Sequence, residues 1–342
     1  MTAAGADLSI EAISAAVAEP MRALEAALMR EMTPDIPQAA DLGVYLNAHP
    51  GKRLRPLCAL LAGGACGADP NGEGQIQLAC AVELLHTATL LHDDVVDDAG
   101  LRRGVATANA IWSNAHSVLL GDYLYSRAFF MMAQIGDISL FELFSRATHR
   151  IASGELHQLL NVNNSTLGED EYRSIVRKKT GELFAASCTG GALIARADAE
   201  TRRRLGDYGM AIGEAFQIID DLLDYVGDAD KTGKNIGADL REGKFTLPLI
   251  RALQQGGDAL EKLLLDGLRL RQSTQQQDGG GDDSGHLRAV IEAVHSTDAL
   301  EYTQNAARRL AEEAVGHLAP LPGGIHKDAL QRLAQFAVMR DF

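Results

Sequence analysis

The chain has 342 residues, 46% of them hydrophobic, which is enough to bury a large core in one large domain or two ordinary ones. Its net charge of −14 disfavours a general nucleic-acid binder and a protein that binds anionic membranes. No uncharged apolar run reaches the roughly 18 residues that a membrane-spanning helix requires.

The compartment is indicated by the N-terminus and the cysteines. Residues 1–20 are rich in alanine and acidic, without the basic start and apolar middle of a signal peptide. Four cysteines lie in apolar stretches without CxxC spacing: Cys58, Cys66, Cys80 and Cys188. We expect buried, reduced thiols and a cytoplasmic protein.

Helical periodicity covers nearly the whole chain. Long apolar patterns at helical spacing occupy residues 75–96, 106–135, 140–160, 169–195 and 199–226. They are apolar around much of their circumference, which is typical of helices buried in a large bundle. Alternating strand patterns are nearly absent. Glycines inside these patterns predict close helix contacts: Gly121, Gly154, Gly190, Gly191, Gly209 and Gly213. The sequence therefore predicts an all-α protein.

Two segments depart from this pattern. Residues 272–285 read QSTQQQDGGGDDSG, a polar sequence of low complexity that predicts a flexible surface loop. Residues 1–10 carry nothing that would anchor them, and we expect them to be mobile.

One acidic motif occurs twice, as DDVVD at 93–97 and as DDLLD at 220–224, each time after apolar residues. On a helix, the first and last aspartates of each copy share a face, while Asp94 and Asp221 point about 100° away. One copy alone could be a solvated helix end. Two copies in apolar sequence predict a site for hard divalent cations, Mg²⁺ above all, which would relieve the repulsion and bind substrate phosphates.

Basic clusters alternate with the acidic motifs along the chain. They are GKRLRP at 51–56, Arg102 and Arg103, Lys178 and Lys179, and the two lysines Lys234 and Lys244. Arginine binds phosphate through a planar fork and lysine as a point charge. Each basic pair alone is more typical of a solvated surface, but the alternation indicates metal-bridged diphosphates held from both sides. No glycine-rich nucleotide loop occurs, so a nucleotide-binding fold is not expected.

Together these motifs resemble the trans-isoprenyl diphosphate synthases, also called polyprenyl synthetases, over about residues 40–340. Besides GKRLRP, the matching segments are ELLHTATLLHDDVVDDAGLRRG at 83–104, GDYLYSRAF at 121–129, KKTGELF at 178–184, FQIIDDLLDYVGD at 216–228 and KTGKNIGADLREGKFTLP at 231–248. The first motif is most similar to the long-chain bacterial members that make the octaprenyl side chain of ubiquinone. The resemblance implies one domain, residues 1–342, folded as a single large helical bundle of the isoprenoid synthase type with a central substrate cavity.

The resemblance also implies the reaction and its metal. An allylic diphosphate, farnesyl or geranyl, would lose its diphosphate, and the double bond of isopentenyl diphosphate would attack the resulting cation. More than one Mg²⁺ would be bound. The implied metal ligands are Asp93, Asp97 and Asp220, with Asp94, Asp221 and Asp224 in support. The released diphosphate can remove the proton, so no dedicated protein base is required.

The family motifs assign two diphosphate sites. Isopentenyl diphosphate would bind Lys52, Arg55, His86 and Arg103. The allylic diphosphate would bind Arg102, Lys179, Thr180, Gln217, Lys234 and Lys244, among which Arg102, Lys179 and Lys234 are the expected catalytic cations. From spacing alone, His86, two turns before Asp93 on the same face, is better explained as a neutral core histidine, and only the family motif makes it a diphosphate ligand. Thr180 could equally satisfy its own helix backbone, and His92 is expected to be structural.

Product length depends on what lies below the acidic site. Ala88 precedes Asp93 by five residues, about 7.5 Å along the helix. In short-chain members an aromatic side chain near this level closes the pocket. Here Ala88 and Thr89 are small, which predicts an open tunnel and a product near C40, although alanine is also simply a good helix former. The candidates for the tunnel floor are Phe129, Met132 and Phe144.

Several alternatives remain open. Within the family, the product could be solanesyl, decaprenyl or a shorter farnesyl or geranylgeranyl chain. A class I terpene cyclase would share the fold, but it commonly carries a different second metal motif and lacks GKRLRP. A non-catalytic subunit of a heteromeric synthase tends to lose the aspartates or arginines that this chain keeps. The resemblance implies a homodimer, and a long apolar product implies transient membrane contact at release.

Overall fold

The protein is described by a computed structural model covering residues 7–33, 36, 40–48, 51–102, 104–226, 237–275 and 284–339. Over these residues the fold is helical, apart from one two-stranded antiparallel ribbon that pairs Leu101 with Ala106 and Arg102 with Val105. The prediction of an all-α protein is confirmed. In this part of the chain, no helix is both long enough and apolar enough to cross a bilayer.

The N-terminal half begins with short helices. These are α1 (Ile10–Ser14), a 3₁₀ turn (Ala15–Val17), α2 (Ala18–Glu31), α3 (Ala40–Ala48) and α4 (Leu54–Ala65). Longer elements follow: α5 (Glu73–Val96), the ribbon strands β1 (Leu101–Arg102) and β2 (Val105–Ala106), α6 (Ala108–Ile111), α7 (Asn114–Ile135) and α8 (Ile138–Leu160).

The prediction of one helix over 106–135 is wrong at its start. The chain there forms β2 and the single turn of α6, and then breaks before α7 begins. Ser113 explains the break, because its extended backbone ends the preceding helix and its hydroxyl accepts a hydrogen bond from the His116 N–H at 3.4 Å.

The second half is built from α9 (Glu169–Val176), a π-helical segment (Arg177–Gly181), α10 (Glu182–Ile194), α11 (Ala199–Val226) and α12 (Ala238–Arg241). It ends with α13 (Leu247–Gln275), α14 (Ser284–His295), α15 (Ala299–His317) and α16 (Ile325–Val338). The predicted helix over 169–195 is therefore continuous but contains a π segment.

The loop predicted at 272–285 is shorter in the structure. Helix α13 continues to Gln275 and α14 begins at Ser284, so the prediction is wrong at both ends. Glutamine is a good helix former, and the Gln-rich start of the stretch extends the preceding helix. Residues 276–283 lie outside the described part of the chain, as do residues 1–6 of the expected mobile N-terminus.

Two apolar clusters form the core. The first is built around α4, α5, α7 and α10, and the second around α13, α14 and α15. Helix α11 belongs to both, because Tyr208 lies in the first cluster and Leu222 in the second. It packs against α10 on one side and α15 on the other. The second acidic motif is on this shared helix, which is why its aspartates are surrounded by core.

The helix glycines allow the close packing that the sequence predicts. At Gly154 on α8, an added Cβ would lie 2.8 Å from the Lys178 Cβ and 2.9 Å from the Lys179 N. Only a residue without a side chain lets α8 approach the π segment this closely. This contact determines how far the Lys179 side chain reaches over α8.

Candidate active site

The first acidic motif ends α5, and a lysine from the π segment contacts it. The Lys179 Nζ lies 3.8 Å from the Asp93 Oδ2, and it donates to Glu155 at 2.7 Å and to Gln158 at 2.9 Å. Burial raises the pKa of Asp93; Lys179 opposes this rise and neighbouring Asp97 adds to it. Burial likewise raises the pKa of Glu155. The carboxylates therefore gather around one ammonium group.

A second lysine reaches the other end of the motif. The Lys244 Nζ, from the segment after α12, lies 3.0 Å from the Asp97 Oδ2 and 2.6 Å from the Glu242 Oε2. Burial works against the charge of this lysine, but the two carboxylates outweigh it, so its pKa is raised. The structure thus brings together Asp93, Asp97, Lys179 and Lys244 as predicted.

The middle aspartate has its own partner on the ribbon. The Arg102 Nε donates to the Asp94 Oδ1 at 2.8 Å, and Asp94 is buried. The backbone C=O of Asp94 also accepts from the Asn109 amide at 3.3 Å, so the turn after α5 is tied to α6. Arg103 and Lys234, both predicted site residues, lie outside the described residues.

Two neutral donors hold Asp221, the middle aspartate of the second acidic motif. The Tyr172 hydroxyl donates to the Asp221 Oδ2 at 2.5 Å, and the Gln217 amide donates to the Oδ1 at 2.8 Å. The Thr180 hydroxyl donates in turn to the Gln217 Oε1 at 2.9 Å. Burial raises the pKa of Asp221 to about 6, although both of its hydrogen bonds oppose the rise. A chain of hydrogen bonds therefore joins α9, the π segment and α11.

The last aspartate of the second motif caps a helix. The two carboxylate oxygens of Asp224 accept from the backbone N–H groups of Ala238 and Asp239 at 2.9 and 3.0 Å. Asp224 therefore holds the start of α12, which precedes Lys244. Asp220 is half-buried on α11. Burial raises the pKa of Asp239 well above its ordinary value, and Asp221 and Asp224 add to the rise.

A cavity of about 100 Å³ lies beside these groups. Its polar lining includes Gln158, Lys179, Thr180, Gln217, Asp221, Asp239 and Lys244, and its apolar lining includes Leu167, Ile175, Val176 and Phe245. All the described residues predicted for the allylic diphosphate line it except Arg102. The cavity therefore combines two cations, two aspartates and an apolar wall.

Lys52, Arg55 and His86, the described residues predicted for isopentenyl diphosphate, lie around the start of α4. The Arg55 Nη1 is 3.0 Å from the His86 Nε2, and the Arg55 guanidinium stacks on the Phe184 ring at 4.5 Å. The Lys52 ammonium lies 5.2 Å from the centre of the Phe336 ring. Since arginine is a donor only, the short contact places the acceptor nitrogen of a neutral His86 toward Arg55.

The residues predicted to set product length are core residues. Ala88, Met132 and Phe144 are fully buried, and the Phe129 ring packs against Tyr125 and Phe141 at 5.3 and 5.4 Å. The Thr89 hydroxyl donates to the His86 C=O at 2.8 Å. Ala88 lies on α5, which packs directly against α7, where Phe129 and Met132 lie.

Comparisons with known proteins show the family to which the chain belongs. Residues 37–279 match the polyprenyl synthetase family model. The chain is 40% identical to the octaprenyl diphosphate synthase of Escherichia coli K12, over 98% of this chain and 100% of that one. It is 38% identical to the all-trans-nonaprenyl-diphosphate synthase (geranyl-diphosphate specific) of Rhodobacter capsulatus, over 96% and 97%. The crystal structure of a polyprenyl synthase from Caulobacter crescentus CB15, complexed with calcium and isoprenyl diphosphate, superposes with a TM-score of 0.88 at 38% identity, over 97% and 98%.

The chain belongs to the polyprenyl synthetase family. It is a prenyltransferase, of the kind that condenses isopentenyl diphosphate onto an allylic diphosphate. The fold is the all-α isoprenoid synthase fold of its structural neighbours, as the motifs predicted.

The polyprenyl synthetase family is metal-dependent, so the side chains of this site would have to bind a metal ion. Among the residues that the structure describes, no three His, Cys, Asp or Glu side chains converge closely enough to hold one metal ion. Lys179 and Lys244 lie instead at the carboxylates of the first motif. The donor set itself fits, because carboxylate oxygens are the ligands that hard divalent cations prefer.

Four residues of this polyprenyl synthetase site were missed from the sequence: Glu155, Gln158, Tyr172 and Asp239. Glu155 and Gln158 stand one helical turn apart on α8, but only the fold shows that this face meets Lys179. Asp239 lies inside the matched segment 231–248, so a signal existed for it. His92, expected to be structural, is partly exposed, and its Nε2 lies 3.1 Å from the Val118 C=O.

Proposed function

We propose that this prenyltransferase makes octaprenyl diphosphate, near C40, for the side chain of ubiquinone. The 40% identity to the E. coli octaprenyl diphosphate synthase supports this product, as do the small side chains of Ala88 and Thr89. Solanesyl, decaprenyl and shorter products are the runner-up. The similarity to a nonaprenyl synthase is the observation that favours a longer chain.

The observation that best supports this proposal is that Lys179 and Lys244 contact the first acidic motif beside the cavity. In our proposal both ammonium groups bind the allylic diphosphate, with Thr180 and Gln217 as neutral partners and Arg102 and Lys234 as further cations. A leaving diphosphate gains negative charge, and fixed cations stabilise that charge without reorganising. Lys179 is prepared for this role because Glu155 and Gln158 fix its side chain.

Mg²⁺, more than one per site, is the proposed cofactor. Asp93, Asp97 and Asp220 would hold it, with Asp94, Asp221 and Asp224 orienting ligands or bound waters. When bound, it would neutralise charge on the leaving diphosphate. Asp221 and Asp224 support the site from behind, since their oxygens accept hydrogen bonds from Tyr172, Gln217 and the start of α12.

Isopentenyl diphosphate would bind Lys52, Arg55, His86 and Arg103. The neutral His86 orients Arg55, and the Phe184 ring supports the guanidinium from one face. The apolar chain of the allylic substrate would extend past Ala88, with Phe129, Met132 or Phe144 at the floor. The released diphosphate would accept the proton that restores the double bond.

We also propose that the single domain forms a homodimer in the cytoplasm. Exposed apolar side chains on α7 and α8 support an interface between copies: Leu119, Phe130, Leu156, Leu159 and Leu160. Three buried free thiols support a reducing compartment. Transient membrane contact would accompany release of the long apolar product. Light scattering of the purified protein measures the oligomeric state directly.

The test is incubation of purified protein with Mg²⁺, farnesyl diphosphate and labelled isopentenyl diphosphate, followed by sizing of the extracted chains. A dominant C40 product would support the proposal. Products of C45 or C50 would favour the runner-up, and products of C15 to C20 would remove the chain-length argument. No incorporation would leave the non-catalytic subunit as the better hypothesis.

The variant Ala88→Phe sharpens this test. A phenyl ring one and a half turns below Asp93 should close the tunnel and shorten the product by several prenyl units. Thr303→Ala on α15, a buried position that is not among the residues lining the cavity, is the control and should leave product length unchanged. Unchanged product length in Ala88→Phe would show that the chain does not pass this position.

A further inference from the structure

Arg53 is a buried arginine in a left-handed backbone conformation. Its φ is 50° and its ψ is 37°, and only 7% of it is exposed. Residues with a Cβ rarely adopt this region, because the side chain crowds the following carbonyl oxygen. Such a conformation persists only where the surroundings hold it. Arg53 stands directly before α4, between Lys52 and Arg55.

Two glutamates from two other helices hold the guanidinium. The Arg53 Nη1 donates to the Glu83 Oε1 on α5 at 2.8 Å. The Nε and Nη2 donate to the two oxygens of Glu25 on α2 at 3.0 and 3.4 Å. Burial acts against the charge, but the two carboxylates outweigh it, and the pKa of Arg53 is raised. Each of the three guanidinium nitrogens of Arg53 therefore donates a hydrogen bond to a glutamate of the protein.

This ion pair lies next to the Arg55–His86 contact. Glu83 and His86 are three residues apart on α5 and so share a face of the helix. Arg53 meets Glu83 at 2.8 Å and Arg55 meets His86 at 3.0 Å. The two contacts form consecutive cross-links between the start of α4 and the middle of α5. A change at the first cross-link would shift the second.

We propose that Arg53 is a positioning residue for isopentenyl diphosphate. Its clamp on Glu83 and Glu25 fixes the left-handed turn that presents Lys52 and Arg55 to one diphosphate group. Arg53 does not itself touch the substrate. Lysine cannot replace it, because a single ammonium group cannot span carboxylates on two helices as the planar fork does. The inference rests on the proposed binding of isopentenyl diphosphate by Lys52, Arg55 and His86.

The first variant is Arg53→Met, which keeps most of the apolar stem and removes the fork. We expect the KM for isopentenyl diphosphate to rise about tenfold or more, because a displacement of about 1 Å suffices for such losses. The KM for the allylic substrate and kcat should stay within about twofold. Calorimetric titration with isopentenyl diphosphate alone should show the same loss of affinity.

The matched control is Arg127→Met. Arg127 donates to the Glu31 Oε2 at 2.5 Å, and Glu31 is 5% exposed, so this change also removes an arginine from a buried glutamate. It joins α2 to α7 and makes no part of the Arg53 clamp. It should lower the thermal midpoint without a selective change in KM. If both variants change KM alike, or if Arg53→Met raises both KM values together, the proposal is overturned.

Two further variants keep the test decisive. Arg53→Gly relieves the left-handed strain while it removes the clamp, so it replaces Arg53→Met should that variant fail to fold. It should give the same selective rise in KM. Glu83→Gln keeps the side-chain shape and should give a smaller rise, and its effect combined with Arg53→Met should be less than additive. Full additivity would contradict a shared clamp.

One measurement separates this inference from the proposed function. Lys52→Gln should by itself raise the KM for isopentenyl diphosphate. If it does not, the assignment of the substrate site is wrong and the inference fails with it. If Lys52→Gln raises this KM while Arg53→Met and Arg53→Gly do not, the site stands and the positioning role of Arg53 is overturned.

Discussion

The two aspartate motifs have the same spacing and both lie on long buried helices, yet the contacts described around their aspartates differ in kind. The first motif meets cations from elsewhere in the chain, namely Arg102, Lys179 and Lys244. In the described part of the chain, Asp221 of the second motif accepts from Tyr172 and Gln217, and Asp224 accepts from the backbone N–H groups at the start of α12.

These contacts give the aspartates of the two motifs different roles. A carboxylate paired with an ammonium group can exchange that cation for another cation at little electrostatic cost. A carboxylate held by a hydroxyl and an amide donor, as Asp221 is, is fixed in orientation. Burial raises the pKa of Asp221 to about 6, and neighbouring Asp220 and Asp224 add to the rise, although both hydrogen bonds oppose it. The same five-residue pattern thus serves one motif that binds and one that also holds the wall of the cavity.

The largest expected effect is at the binding motif. Asp93→Asn keeps the shape of the side chain and removes a charge that Lys179 faces at 3.8 Å. We expect kcat to fall by about 10²–10³-fold, because one preorganised electrostatic contact at the leaving group is worth that much. Incorporation of labelled isopentenyl diphosphate measures it.

Asp98→Asn is the matched control for this change. Asp98 is exposed and lies one residue beyond the motif. Activity should stay within about twofold of the parent, because an exposed charge is largely screened. Equal losses in both variants would mean that general acidity, rather than the motif, carries the activity.

The next effect concerns pH and the supporting motif. The folded protein holds the Asp221 proton up to about pH 6, whereas the unfolded chain releases it near its ordinary pKa. The contribution of this group to stability therefore falls as pH rises between those two values. Without metal, the free energy of unfolding of Asp221→Asn should rise relative to that of the parent as pH increases from about 4 to about 7, by up to about 3 kcal/mol. Thermal unfolding in a chelator measures the difference.

Asp298→Asn provides a control of opposite sign. Arg251 holds the pKa of Asp298 below its ordinary value through a hydrogen bond. The contribution of Asp298 to stability is present above its ordinary pKa and is lost as pH falls. The free energy of unfolding of Asp298→Asn should therefore fall relative to that of the parent as pH rises. A parallel response of the two variants would contradict the assigned environments.

The smallest effect tests the hydrogen bonds of the supporting motif. Tyr172→Phe leaves one oxygen of the buried Asp221 without its donor at 2.5 Å. We expect a loss of about 1 to 2 kcal/mol in the free energy of unfolding and a fall in kcat of less than about tenfold. Tyr302→Phe is the control, because its hydroxyl makes a similar bond of 2.8 Å to Glu169 in a less buried place. A larger loss in the control would place the support elsewhere.

The sequence was informative where the pattern is local. Helical periodicity over 199–226 predicted α11 at its observed bounds, and the spacing within the first motif predicted that Asp94 faces away from Asp93. It was uninformative where the contact is long-range. Gly154 predicted a close helix contact, but nothing local to it indicates that the contact is with the π segment, and nothing local to Arg53 indicates a left-handed turn.

The break at Ser113 was missed for a different reason. Apolar residues continue through 106–135 at helical spacing, so periodicity alone predicts one helix. A capping hydroxyl competes with the helix backbone locally, and here it starts a new helix. Periodicity describes which face is buried, whereas capping residues decide where a helix begins.

The π segment at Arg177–Gly181 constrains how this chain can change in length. A π turn holds one residue more than the α turn it replaces, so it absorbs the extra residue while the faces of α9 and α10 keep their relation. Removing one residue there would restore a regular helix with nearly the same rotation between α9 and α10, whereas a deletion elsewhere in either helix would rotate its two parts by about 100°. After a deletion in the π segment, Tyr172 would stay beside Asp221, and α10 would keep its packing. Single-residue deletions should therefore disturb the packing of α9 and α10 less in these five positions than elsewhere in either helix.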